Sequence, residues 1–264
     1  MIEYKVITDS ALKSDIQQQF QDFFKAVYGR DLSQCDWEHQ FVRSPYENSA
    51  LFIALNENKI VGSSLMIPQK TSMNGSYYLW TTSAIEKKYR SKGVYANILK
   101  KQREYAVENE KDFILAFPNA LAYPVVKLFG AFRDLYSTNL VKTTISALDF
   151  NNIENSLLVD EGFFRWRFEH KDYLFYAYKE HVVFAKKFET FLDVLAIYKV
   201  NELEGLAIEI LNEAIPQNII TLASFLKKQS SAVVLGEYRG VYYPINKKID
   251  YKNIKLNLLM SDIF

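Results

Sequence analysis

The chain is poor in the residues that cross-link or interrupt a fold. It holds one cysteine, Cys35, so no internal disulfide can form, which suits a reducing cytoplasm. A lone thiol of this kind is expected as a small core residue rather than a nucleophile. The three histidines, His39, His170 and His181, have no ligand spacing, and no metal site is expected. There is no low-complexity tract and no short tandem repeat. No run of about 20 apolar residues occurs, as a membrane helix would need. The longest candidate, Phe113 to Val126, is broken by Pro118, Asn119 and Pro124. The opening MIEYKVITDS has no positive region followed by an apolar stretch, so no secretory leader is expected. Charge of one sign is also missing: 32 Lys and Arg against 31 Asp and Glu leave +1. That excludes the broad basic field of a general nucleic-acid binder.

What is present is ordinary for a soluble globular protein, with 49% hydrophobic and 24% charged residues in 264. The length fits one large domain or two small ones. Aromatics reach 15%, with 18 Tyr and 19 Phe, which points first to large aromatic cores.

In the first half, Glu3 to Ile7 reads as a strand, and Asp9 or Ser10 can cap a helix reaching Tyr28. Asp31 to Phe41 reads as a shorter helix. Ala50 to Leu55 and Lys59 to Pro68 flank a hairpin signal, and Tyr77 to Ile85 is a further strand. Val94, Ile98, Leu99, Gln102, Tyr105 and Ala106 recur at helical spacing. A strand from Asp112 to Phe117, a short helix to Gly130, and strands Phe132 to Tyr136 and Asn139 to Leu148 complete a mixed α/β sheet. Residues 1–148 are therefore expected as one domain, and the turn-rich 149–160 as a linker. Residues 161–264 repeat the order in outline: strands over 173–178, 181–188 and 191–200, a helix Asn201 to Ala214, a strand Ile219 to Ala223, an amphipathic segment to Lys228, then strands Val233 to Tyr238 and Ile254 to Met260.

The stretch that carries chemistry is Trp80 to Gly93, WTTSAIEKKYRSKG, where a strand runs into a basic, glycine-bearing turn and a helix follows at once. The first turn of a helix has unsatisfied N–H groups and a partial positive charge, so an anion docks there. Gly93 removes the Cβ that would keep a phosphate away. Lys87, Lys88, Arg90 and Lys92 add positive field. The turn is neither a P-loop nor a dinucleotide fingerprint, since GxxxxGK[ST] and GxGxxG are both absent. It reads as a diphosphate cradle.

The segment resembles motif A of the GNAT superfamily of N-acetyltransferases: a strand, then Q/R-x-x-G-x-G/A, then a helix. Arg90 and Gly93 match, while Tyr95 replaces the usual small last residue. Phe113 to Asn119 followed by a short helix and Gly130 resembles motif B, and ALFIALNENKIVGSSLMIP resembles the family's first hairpin. The resemblance covers about residues 1 to 147. It implies acetyl-CoA as the donor (CoA leaving as the thiol), the pantetheine pairing with backbone at Ser83, Ala84 and Ile85. The diphosphate would lie on Arg90, Ser91, Lys92, Gly93, Val94 and Tyr95, and Asn119 beside the pantetheine or sulfur. The implied reaction is direct attack of an amine on the thioester. The family's usual acid, a Tyr on the motif B helix, falls at Val126, so Tyr123 one turn earlier is the nearest substitute. Glu86 is a candidate base, with Glu38 and His39 as alternatives.

Gly162-Phe-Phe-Arg-Trp-Arg-Phe168 and Leu258-Leu-Met-Ser-Asp262 resemble segments of two-part bacterial GNAT proteins of surface-polysaccharide and amino-sugar pathways. No cofactor loop recurs in this half, so the resemblance implies tandem GNAT-like folds, each a mostly antiparallel sheet with helices on both faces, the second degenerate. The expected function is a cytoplasmic N-acetyltransferase acting on a small-molecule amine such as an amino sugar, with no nucleic-acid partner and no membrane span; a homodimer is compatible with it. The alternatives are a Fem-like aminoacyl transferase, which would not need the Arg90/Gly93 loop, and a non-catalytic CoA-binding or scaffold module.

Overall fold

The computed structural model describes residues 1–72, 75–90, 92–153, 159–168, 173–188, 190–211, 213–228, 230–246, 248–251, 254, 255, 257 and 258. They form two compact units, one of Met1–Lys70, Gly75–Arg133 and Val241–Ile249, the other of Thr71–Asn74, Asp134–Gly240 and Asp250–Phe264. The division thus falls at 133/134 rather than at 148, and a late segment returns to the first unit.

The first unit is a mixed sheet of β1 (Ile2–Ile7), β2 (Ala50–Asn56), β3 (Lys59–Lys70), β4 (Ser76–Ile85) and β5 (Phe113–Ala116) in that spatial order. The strands β1 to β4 run antiparallel, and β5 lies parallel to β4. Residues Val241–Pro244, the end of β11 (Val233–Pro244), pair antiparallel with β5. Between β2 and β3, Glu57 and Asn58 both take positive φ, at 50° and 62°. Two left-handed residues in a two-residue loop make the hairpin turn whose twist matches its strands.

Both sheet faces are covered. On one, α4 (Val94–Glu108) packs Val94, Ile98, Leu99 and Ala106 against Phe52, Met66, Tyr78, Trp80 and Ile114, and α5 (Ala122–Gly130) adds Val126. On the other lie α1 (Ser10–Asp15), α2 (Gln17–Tyr28) and α3 (Gln34–Trp37), with an aromatic cluster of Phe20, Phe24, Trp37 and Phe41. Ring centroids of Phe20 and Phe41 are 4.7 Å apart.

Several expectations change here. The long first helix is broken at Ile16 into α1 and α2. The second helix is α3 followed by a π-turn, Glu38–Val42. Cys35 is exposed on α3, not in the core.

In the second unit, β6 (Arg133–Thr144) is one strand in place of the two expected. The helix α6 (Glu161–Phe168) follows, its Phe163 N–H capped by Asp160 at 2.9 Å. Then come β7 (Tyr173–Tyr178), β8 (His181–Phe188), β9 (Phe191–Lys199) and β10 (Asn218–Leu222), in the spatial order β6-β10-β9-β8-β7. The helix expected over 201–214 does not form: Val200–Leu203 is a 3-10 turn, Gly205 is left-handed at φ 84°, and extended chain bridges Leu211 to Tyr176. A glycine inside a helix is destabilising, and Leu206 and Ile208 alternate with period two rather than 3.6. The segment expected as a helix to Lys228 is a 3-10 turn, Ala223–Phe225. No strand covers Ile254, Lys255, Asn257 or Leu258; the remainder of the strand expected there, like Glu154 to Leu158 of the linker, lies outside the described residues. Among the described residues, α6 is the one α-helix of this unit, so helices on both faces are found only in the first.

The two units share one local design. Opposite β3, β4 bulges so that Ser63 pairs with Ala84 but Leu65 with Thr81. Opposite β8, β9 bulges so that Phe184 pairs with Ala196 but Ala185 with Val194. In each case the bulged strand is also joined to a parallel neighbour over a short stretch.

Candidate active site

Pairing between β4 and β5 runs from Tyr77 with Phe113 to Trp80 with Ala116 and stops there. Beyond Trp80, β4 continues to Ile85 with one edge open. The bulge lies just past this point, with Thr82 left-handed at φ 49°. A bulge re-aims the strand and raises its twist, which opens a wedge.

Which backbone groups face that wedge follows from the antiparallel alternation. The Glu86 N–H donates to the Val61 carbonyl at 3.0 Å, so Ala84, two residues earlier, also turns its N–H and C=O toward β3. Ile85 therefore turns its N–H and C=O to the open edge, while Ser83 lies in the bulge opposite Ser64, its carbonyl accepting from the Tyr28 hydroxyl rather than from β3. Of the three expected backbone positions, Ile85 faces the wedge, Ser83 offers its carbonyl from the bulge, and Ala84 is turned to β3.

At its far end, β4 passes through a 3-10 turn, Lys87–Tyr89, into α4. Gly93 is left-handed at φ 71°, and a Cβ built there would meet only Asn97 Nδ2 at 4.0 Å. No side chain caps the first turn of α4, so its N–H groups have no partner within the helix start. Val94 is buried as the anchor of that turn, and Lys92 and Lys88 stand over the Tyr89 ring at 4.8 and 5.2 Å. The Arg90 Nε–H donates to the outward Ile85 carbonyl at 3.1 Å, which places the guanidinium at the edge. Ser91 lies outside the described residues. Open space at Gly93, uncapped N–H groups and a fixed arginine together fit a diphosphate, and the free edge fits an extended amide arm. Gly62 lets α4 approach: its Cβ would stand 2.7 Å from Ile85 Cδ1 and 3.1 Å from Val94 Cγ1.

A polar knot braces the wedge from within. The Ser64 hydroxyl accepts from Trp80 Nε1 and from Gln102 Nε2, the latter at 2.8 Å. Both lone pairs are then used, so the Ser64 hydrogen goes to Ser83 Oγ at 2.6 Å. The Ser83 hydroxyl in turn bonds the Tyr95 phenol, which burial holds above the ordinary tyrosine range. Tyr95, the departure from the usual small residue, thus has a fixed place against β4. Nothing in the sequence singles out Tyr28, yet its hydroxyl donates to the Ser83 carbonyl at 3.1 Å.

The other expected residues sit apart from this knot. The Asn119 side-chain oxygen accepts from Leu121 and Ala122 N–H at 3.1 and 2.9 Å, capping α5 just past the end of β5. Tyr123 lies in the first turn of α5, half-buried against the α4-side core. Glu86 pairs with Lys88 at 3.0 Å at the loop end of β4, six residues beyond Trp80. Glu38 pairs with Arg43 at 3.4 Å, and His39 is buried within the π-turn. Among the described residues no group of acidic, His and Cys side chains could hold a metal. No helix among them is long and apolar enough to cross a membrane. In the second unit the segment after β9 is a 3-10 turn, so the helix start that forms the cradle has no counterpart there.

Comparison with known proteins agrees with this geometry. Residues 9–132 match the family model of the acetyltransferase (GNAT) domain. No curated protein matches the sequence. Solved structures do match in fold. A conserved protein of Enterococcus faecalis V583, named a probable N-acyltransferase, is 8% identical with a TM-score of 0.63, over 93% of this chain and 73% of that one. Eis1 from Mycobacterium abscessus is 9% identical with a TM-score of 0.59, over 93% and 74%. A GCN5-related N-acetyltransferase from Kribbella flavida is 9% identical with a TM-score of 0.57, over 93% and 72%.

Proposed function

We propose that this chain, whose residues 9–132 match the acetyltransferase (GNAT) domain model, moves the acetyl group of acetyl-CoA onto a primary amine, an amino sugar or nucleotide-linked amino sugar being the acceptor we favour. The observation that carries the reading is the open β4 edge ending at an uncapped helix start. The uncapped first turn at Gly93 to Tyr95, with Arg90 and Lys92, takes the diphosphate. Ser83 and Ile85 hold the amide arm by backbone pairing. A backbone N–H at the bulge end of this edge is the donor that would polarise the thioester carbonyl. Glu86, beside the cradle and paired with Lys88, is not carried forward as the base, because a carboxylate there faces phosphate rather than the acyl group. Asn119 stays in the reading as the cap that fixes α5 at the mouth of the wedge. The amino-sugar acceptor rests on the sequence resemblance of 162–168 and 258–262, not on geometry. The second unit, without a helix after β9, is read as a degenerate repeat that binds no CoA.

Calorimetric titration with acetyl-CoA tests the donor site. One site per chain supports it, and no heat at millimolar donor contradicts it. A screen of amino sugars for CoA release then tests the acceptor class. A Fem-like aminoacyl transferase would bind no acetyl-CoA.

A further inference from the structure

Ser83 lies in the bulge of β4, with Thr82 opposite Ser64, just before the pairing of Trp80 with Ala116 closes the wedge. An arm that starts at the Gly93 cradle and passes Ile85 therefore ends its run, with its sulfur, at Ser83. The side chain that reaches this point from the opposite helix layer is Tyr28, whose hydroxyl stands 3.1 Å from the Ser83 carbonyl. Its ring is held against Phe24, centroids 4.5 Å apart, and Phe24 is 1% exposed. Gly29, left-handed at φ 71°, ends α2 immediately after it and donates to Lys25 O at 2.9 Å, which fixes where the ring leaves the helix. The position on α5 where the resemblance expects a tyrosine holds Val126, fully buried.

We propose that Tyr28 is the proton donor to the thiolate released in acyl transfer. The proposal rests on the reading of β4 as the edge that holds acetyl-CoA. The phenol has a single hydrogen, so when the arm's amide takes over the Ser83 carbonyl the Tyr28 hydroxyl gives up that bond and turns its hydrogen to the sulfur. In the transfer, the amine nitrogen forms a bond to the thioester carbon and the carbon–sulfur bond breaks. The sulfur takes the Tyr28 proton, and the phenolate recovers the proton shed by the new amide nitrogen, so the residue ends as it began. Partial desolvation against α2 and β4 raises this phenol above its ordinary range although Tyr28 is 41% exposed, Arg30 lowers it in part, and it stays protonated at neutral pH.

The test reads the sulfur directly and needs no acceptor. CoA is bound to the wild type, Tyr28→Phe and Tyr123→Phe, and the thiolate absorbance of bound CoA is titrated. A donor at the sulfur stabilises the thiolate, so the bound thiol titrates about 1 unit lower in the wild type and Tyr123→Phe than in Tyr28→Phe. Replacing Tyr28 by 3-fluorotyrosine keeps ring and hydroxyl and lowers the bound value further, which covers the case of a poorly folded Phe variant. Equal values in wild type and Tyr28→Phe overturn the proposal, as does a shift confined to Tyr123→Phe. Failure of every form to bind CoA overturns the donor-site reading itself, a different outcome.

Discussion

Replacing Gly93 separates the backbone demand of the cradle from its electrostatics. Gly93 sits at φ 71°, and an added Cβ meets nothing closer than Asn97 Nδ2 at 4.0 Å. Alanine there causes no clash and bears only the left-handed strain of a non-glycine residue, roughly 1–2 kcal/mol. The smaller entropy of the unfolded alanine chain offsets part of this, by about 0.4–1 kcal/mol. The net loss for Gly93→Ala is about 1 kcal/mol, or a Tm fall of roughly 2–4 °C. Gly93→Glu shares that backbone cost and places a carboxylate on the anion site. At about 5 Å and an effective dielectric near 20, each charge pair costs roughly 3 kcal/mol. That corresponds to a loss of more than about a hundredfold in acetyl-CoA affinity. Thermal unfolding and calorimetric titration of both variants read the two effects apart. The reasoning is refuted if Gly93→Glu folds and binds acetyl-CoA within threefold of wild type, or if Gly93→Ala loses several kcal/mol.

Gly62→Val drives a branched side chain into Ile85 and Val94, whose nearest carbons lie only 2.7 and 3.1 Å from where a Cβ on residue 62 would stand, so we expect a loss of about 1–3 kcal/mol together with weaker CoA binding, measured by urea titration and calorimetry. Asp112→Ala removes the acceptor for the Ser76 N–H at 2.8 Å, which ties the start of β4 to the residue before β5, and for Asn246 Nδ2 at 2.7 Å, which ties segment 241–249 to it; urea unfolding should show a loss of about 2–3 kcal/mol. Lys13 is buried, donates to Ser49 O and Oγ at 2.6 and 2.9 Å, and is pushed down by burial to about 8 from 10.5. Below pH 8 the folded protein carries the whole cost of that charge. Above it the folded state sheds the proton before the unfolded chain does, so stability rises by up to ~1.5 kcal/mol between pH 8 and 9.5. Raised tyrosines such as Tyr105 act in the opposite sense only once unfolded tyrosines ionise, near pH 10. Lys13→Met should flatten the rise, and an equal slope in both proteins would sink this assignment.

Much of the first unit is legible in sequence because its signals are local. Asn56-Glu57-Asn58 between apolar runs marks the hairpin, and the spacing of Val94 to Ala106 marks α4. The cradle is legible for the same reason, being a strand, a basic turn with Gly93 and a helix in immediate succession. The knot at Ser64 is half legible: Gln102 is a polar residue on the apolar stripe of α4, which signals a buried partner without naming it. Tyr28 is not legible, since its contact with Ser83 spans 55 residues and depends on how α2 crosses the sheet. The segment 201–214 misleads because Asn201 and Glu204 imitate a helix start, while the backbone follows Gly205 and the pairing of Leu211 with Tyr176. The unit boundary is hidden because β6 runs unbroken through it from Arg133 to Thr144.

Amide hydrogen exchange with and without CoA addresses the β4 edge itself, because it reads the backbone groups that the donor should engage. Protection should rise at the Ile85 amide and across the first turn of α4, while Ala84, already turned toward β3, changes little. Protection that rises only in 134–240, or at no residue of β4 and α4, would contradict the placement of acetyl-CoA on this edge.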